Sequence, residues 1–147
     1  HSFLAEQIKE HSFTREYEAV VCGRFKEKDG TVSAPIGRHP VDRKKMCVTD
    51  KNSKSAITHF TVIEEFDKYT HLRLRLETGR THQIRVHMAY IGHPVLGDDV
   101  YGKPYKGIDG QCLHAKKIGF IHPSTGDYME FDSELPEYFT NILKTIK

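Results

Sequence analysis

Residues 70–94, THLRLRLETGRTHQIRVHMAYIGHP, constrain the fold more than any other stretch, because the apolar period changes partway along them. Leu72, Leu74 and Leu76 alternate with Arg73, Arg75 and Glu77. Successive side chains of a strand point to opposite faces, so this run predicts a half-buried strand. After Thr78-Gly79 the apolar residues fall at Ile84, Met88 and Ile91, the i, i+4, i+7 spacing of one helix face. Gly92 and Pro94 then supply a helix stop. A strand that turns through glycine into a helix collects polar side chains at the junction. Here they are Arg80, Thr81, His82, Gln83 and Arg85.

The remaining elements follow from the same rules. In REYEAVVCGRF, Tyr17, Ala19 and Val21 fall on one strand face and the glutamates on the other. Asp29-Gly30 predicts a hairpin-like turn. SAITHFTVIEEF is a strand whose short FDKY link to the next requires antiparallel pairing, and LHAKKIGFIH and YMEFDS give two more, joined through PSTGD. Pro136 opens a last helix with the stripe Phe139, Ile142, Leu143 and Ile146. Phe3, Leu4, Ile8 and His11 suggest a helix at the start, with Ser2 as its N-cap. APIGRHPVDRKKM, with two prolines and a glycine, predicts an extended loop. The expected fold is α+β: a mixed, largely antiparallel sheet with a few flanking helices, around the one modest core that 147 residues can bury.

Composition narrows the functional classes. No apolar run reaches membrane-spanning length and the first residues are no signal peptide, which points to the cytoplasm and against a membrane partner. Cys22, Cys47 and Cys112 are odd in number and form no CxxC pair, so they read as reduced packing residues. The net charge of +2 says little, but residues 38–54 hold Arg38, Arg43, Lys44, Lys45, Lys51 and Lys54 against Asp42 and Asp50. That excess is either a solvated loop or a phosphate-contacting surface.

Several chemistries fail on spacing. His82 and His87 are five apart, not the four of a zinc helix, and no cysteine is near, so no metal site is expected. No GxSxG nucleophile elbow and no phosphate-cradling glycine motif occurs. Adjacent Asp98 and Asp99 read as a structural pair that bonds loop backbone. Arg80 and Arg85 remain, beside a helix N-terminus whose free N–H groups and positive dipole end favour anions.

TGRTHQIRVH…IGHPVLGDDVYG resembles the C-terminal signature of the RluA-type pseudouridine synthases. REYEAVVCG, APIGRHPVDRKKM, KSAITHFTV, LHAKKIGFIHPSTG and FDSELPEYFTNIL resemble successive blocks in the same order, covering nearly the whole chain. The resemblance implies isomerisation of uridine to pseudouridine in rRNA or tRNA, with no cofactor and no DNA partner; it does not fix the oligomeric state. The base leaves through N1–C1′, rotates and returns through C5. Extruding it from the stack costs a few kcal/mol, and an aromatic platform offsets about 1–3 kcal/mol.

By the same resemblance, Tyr17 is the active-site tyrosine that packs on the base and takes up the C5 proton. Arg85 pairs with the catalytic aspartate, and Ile84 walls the pocket. Arg80, Thr81, His82 and Gln83 are RNA or pocket contacts, as are Arg38, Arg43 and Lys44 of the basic stretch. The family's nucleophilic aspartate lies in an RLD…TSG motif upstream of the tyrosine block, and these 147 residues hold no such motif. Residues 1–147 are therefore expected to be the C-terminal portion of one catalytic domain, inactive alone, with Arg85 awaiting an acid from elsewhere. A non-catalytic RNA-binding module, and more weakly a hydrolase built on His82, His87 and Asp98, are the alternatives.

Overall fold

The computed structural model describes residues 14–147; the helix expected from Phe3, Leu4, Ile8 and His11 lies outside the described residues. The elements run β1 (Thr14–Cys22), β2 (Asp29–Ser33), β3 (Ile36–Arg38), β4 (Met46–Val48), β5 (Ser53–Lys54), β6 (Ile57–Glu65), β7 (Tyr69–Leu76), α1 (Gln83–Tyr90), β8 (Leu113–Ile121), β9 (Tyr128–Asp132) and α2 (Glu137–Thr145). Six strands form one sheet in the order β2-β6-β7-β1-β8-β9, and each ladder is antiparallel. A smaller sheet, β4-β3-β5, sits beside it. The α+β fold and its largely antiparallel sheet are as the alternation of Leu72, Leu74 and Leu76 requires.

Both faces of the sheet are covered where β1 runs through its middle. On one face Ala19, Val21, Leu72, Leu74 and Leu76 pack against Ile84 and Met88 of α1. On the other, Val20 packs with Leu96, Cys112 and the α2 residues Phe139 and Ile142. Two-sided burial explains why Ala19-Val20-Val21 is a continuous apolar run rather than an alternation. The second face also buries a polar pair, His71 Nε2 donating to Glu18 Oε1 at 2.7 Å. Cys22, Cys47 and Cys112 are free thiols, and burial pushes that of Cys112 up to about 12.

Two local expectations are corrected. Asp29-Gly30 does not turn a hairpin: these residues begin β2, which pairs with β6, while β1 pairs with β7 and β8. Glycine is needed at position 30 because the Phe60 ring lies across it, and a Cβ there would come within 2.6 Å of ring Cζ. The basic stretch is not one extended loop either. Arg38 ends β3 and Met46 begins β4, so residues 39–45 are the tip of a hairpin. Among the described residues no helix is long and apolar enough to cross a membrane.

Candidate active site

Arg15 and Tyr17 lie two apart on β1 and so project to the same face. Across from them β7 ends and the chain turns through Thr78-Gly79 into α1. Gly79 lets the Arg15 guanidinium close over the backbone, since a Cβ at 79 would stand 2.0 Å from Arg15 Nη1. The turn is held by Gln83, only 2% exposed. Its Oε1 accepts from the Arg80 amide at 3.0 Å and the Thr78 hydroxyl at 2.8 Å. Its Nε2 donates to the Ile57 carbonyl and to Thr58 Oγ1, each at 3.0 Å. The amide is fully used inside the protein, so Gln83 positions the turn while it also lines the cleft between β1 and α1.

The same network fixes a histidine. His87 Nε2 donates to the Ala34 carbonyl at 2.9 Å, so Nδ1 must accept from the Thr58 hydroxyl at 2.8 Å. Burial holds His87 below its ordinary value. His82 stands at the helix N-cap with φ 56°, a left-handed conformation that costs a non-glycine residue on the order of 1–3 kcal/mol. Its Nδ1 bonds the Tyr101 hydroxyl at 2.9 Å. Burial first, and the Arg85 charge second, lower its pKa. His93 lies elsewhere, stacked on Phe25 and donating to the Cys22 carbonyl. The three histidines that looked clustered in sequence therefore serve three separate places.

Between β1 and α1 opens a cleft of about 260 Å³. Arg15 and Tyr17 line it from β1; Arg80, His82, Gln83, Ile84 and Arg85 line it from the turn and helix. Gln111 and Leu113 complete the wall at the start of β8. Six of the residues singled out in the sequence thus converge: Tyr17, Arg80, His82, Gln83, Ile84 and Arg85. Arg80 is anchored by Nε donating to the Ser55 carbonyl at 2.8 Å. Thr81 is exposed and is not part of the lining; Arg38, Arg43 and Lys44 are exposed on the β3–β4 hairpin, apart from the cleft.

Arg85 is not waiting for an acid with both edges empty. Its Nε and Nη2 grip Asp98 Oδ2 and Oδ1, each at 2.9 Å, a bidentate pair with the carboxylate fully buried. Asp98 Oδ1 also accepts from the amides of Val100 and Tyr101 at 3.0 and 3.1 Å, as expected of a loop-bonding acid. Burial pushes this carboxyl upward, but Arg85 and the two amides together hold it below the usual range. Asp98 in turn raises Arg85. The guanidinium lies 5.2 Å from the Tyr101 ring centroid. It is thus clamped against the cleft wall through Nε and Nη2.

Arg15, Gln111, Asp98 and Tyr101 were missed as site residues. Arg15 was legible in principle, two before Tyr17 on the same strand face. The pairing of Asp98 with Arg85 depends on the path of residues 91–98 and leaves no periodic trace.

A family profile for RNA pseudouridylate synthase matches residues 1–90. "Uncharacterized RNA pseudouridine synthase YlyB" from Bacillus subtilis is 50% identical over 149 residues, covering 100% of this chain and 48% of that protein. "Ribosomal large subunit pseudouridine synthase D" from Pseudomonas aeruginosa is 43% identical, covering 100% of this chain and 50% of that protein. The chain thus spans about half the length of these curated relatives. Among solved structures, Human RNA Pseudouridylate Synthase Domain Containing 1 superposes with a TM-score of 0.79 at 25% identity, covering 99% of this chain and 70% of that one.

Proposed function

The chain belongs to the RNA pseudouridylate synthase family, and from that premise we propose that its cleft receives an extruded uridine of rRNA or tRNA for isomerisation to pseudouridine. One observation carries this reading: Tyr17 and Arg85, 68 positions apart in sequence, line the same cleft. A volume of about 260 Å³ is small beside the roughly 300–1,000 Å³ of drug-sized sites and suits a single base. In this reading Tyr17 and Ile84 sandwich the base. Arg85, aimed by Asp98, keeps an attacking carboxylate ionised, as an adjacent guanidinium does by about 1–3 pKa units. Arg80 and Arg15 attract the flanking phosphates.

The reaction needs no imported group. The N1–C1′ bond breaks, C5–C1′ forms, the C5 proton leaves to Tyr17 or water, and N1 regains a proton. Among the described residues the cleft lining holds no carboxylate, and Asp98 is fully buried behind Arg85. We assign the attacking acid to an Arg-Leu-Asp motif of the kind the family places upstream of its tyrosine block; its cellular setting is the cytoplasm, with the three thiols reduced. The 147-residue chain by itself then releases no tritium from RNA carrying C5-labelled uridine. Joined behind the half of YlyB that it does not match, it regains release, and Tyr17→Phe or Arg85→Ala abolishes it. Tritium release from the lone chain, or a chimera indifferent to both substitutions, overturns the reading.

The exposed basic side chains of Arg38, Arg43 and Lys44 favour a second reading, a non-catalytic RNA-binding module. Steeply salt-dependent RNA binding by a chimera that never releases tritium selects it.

A further inference from the structure

A second cavity, of about 410 Å³, lies on the other flank of α1, between that helix and β4. Met46 and Val48 form one apolar wall and Val86 and Ala89 the other. Tyr90 stands at its rim, 61% exposed, and His39 and Lys45 close its polar end. The two cavities share a partition. Tyr101 lines the second, yet its hydroxyl bonds His82 Nδ1 in the first and accepts from the Met46 amide at 3.0 Å in the second.

The polar end carries the Lys45 ammonium beside His39, on the hairpin that also exposes Arg38, Arg43 and Lys44. In the hairpin tip His39 Nδ1 accepts the amides of Val41 and Asp42, at 3.2 and 3.0 Å, so its proton sits on Nε2. The carboxylate of Asp42 turns inward onto the Lys44 amide at 3.1 Å. Arg38 Nη1 donates to the Arg43 carbonyl, at 3.0 Å. Among the described residues none of Arg38, Arg43, Lys44 and Lys45 is ion-paired with a carboxylate. Apolar walls with an exposed aromatic rim and a cationic edge are how proteins hold unpaired bases along a charged backbone.

We infer that this groove is a second base subsite, which seats an unpaired nucleotide next to the target uridine in the same RNA strand. The base lies between the apolar walls against Tyr90, and its phosphate meets Lys45 and His39. Tyr101 divides it from the target base. The inference rests on the RNA reading above and adds where the neighbouring nucleotide goes. The groove thereby becomes a determinant of sequence context, set apart from the isomerisation chemistry.

The test uses the full chain and fluorescein-labelled single-stranded RNA pentamers with a central uridine, followed by anisotropy. Tyr90→Ala is a surface change and leaves the fold intact. It is expected to weaken binding roughly 5- to 150-fold, the usual loss of a base-stacking aromatic. Replacing one particular neighbour of the uridine by an abasic nucleotide weakens the wild-type chain to the same degree and does not weaken Tyr90→Ala further. Bound pentamer also shields Cys47, in the groove wall, from iodoacetamide. If Tyr90→Ala and Lys45→Ala bind like wild type while Arg80→Ala binds weakly, the groove is empty of RNA and the inference fails, with the cleft reading intact. If no pentamer binds the wild-type chain, both fall together.

Discussion

Residues 38–54 and residues 78–102 are both polar and rich in turn formers, and the fold treats them in opposite ways. The first has a basic excess, while in the second Arg80 and Arg85 are balanced by Asp98 and Asp99. In the first, Arg38, Arg43 and Lys44 are exposed, and the hydrogen bonds of the tip are satisfied within the tip. In the second, the polar groups are drawn inside. Gln83, His87 and Asp98 are buried, and each bonds segments far from it in sequence. A polar group enters a core only when every donor and acceptor finds a partner there. The 78–102 stretch brings its partners with it or meets them on β6 and near β3. The tip of the 38–54 stretch bonds within itself and leaves Arg43 and Lys44 in solvent, where their charges are available to phosphate. Behind it, Met46 and Val48 pack with Val86.

The sharpest way to break this contrast is to remove Asp98. Asp98→Ala leaves a guanidinium and two amides without their acceptor in a buried place, and about 3–5 kcal/mol of stability should be lost. Urea unfolding measures it, and a loss under 1 kcal/mol would mean that solvent already reaches the pair. Smaller but in the same region is Gln83→Leu. It strips acceptors and donors from Thr78, Thr58, Arg80 and Ile57, with an expected cost of about 2–3 kcal/mol by the same measurement.

A pH titration sharpens the contrast from another side. His71, His82 and His87 all have pKa values lowered in the fold, with burial as the leading cause. The unfolded chain therefore binds more protons than the native one as the pH falls. Stability is complete above the unfolded histidine value of about 6.5 and declines progressively below it. Asp98 adds a separate loss at lower pH, as its depressed carboxyl finally protonates. A melting temperature that stays flat from pH 7 to 5 would show that these rings are solvated. The smallest effect on stability is expected in the other region. Arg43→Ala with Lys44→Ala should change unfolding by no more than about 0.5 kcal/mol. The salt dependence of single-stranded RNA binding should drop by about 0.7 in log–log slope for each lost phosphate contact.

The alternations at Leu72-Leu74-Leu76 and Tyr17-Ala19-Val21 were enough to place β7 and β1, because period two has one meaning beside a core. The stripe at Ile84, Met88 and Ile91 placed α1 for the same reason. The Asp29-Gly30 signal misled because a glycine also serves where a ring crosses the backbone, and Phe60 is thirty positions away. Of the site, the motif residues were legible and their divisions of labour were not. Gln83 and Arg80 look equivalent in TGRTHQIR and both line the cleft, yet the Gln83 amide is spent on holding the turn while Arg80 is anchored through Nε to the Ser55 carbonyl.

The sequence by itself determined the α+β class, the strand-to-helix junction and the identity of the residues gathered there, since local periodicity and an ordered series of motifs are properties of neighbours along the chain. Only the tertiary structure decided that Arg85 is clamped by Asp98, that Arg15 closes over Gly79, and that Tyr101 separates two cavities. Each of these joins groups brought together by the folding of the intervening chain, where burial makes a hydrogen-bond partner obligatory and no one-dimensional pattern records which partner it will be.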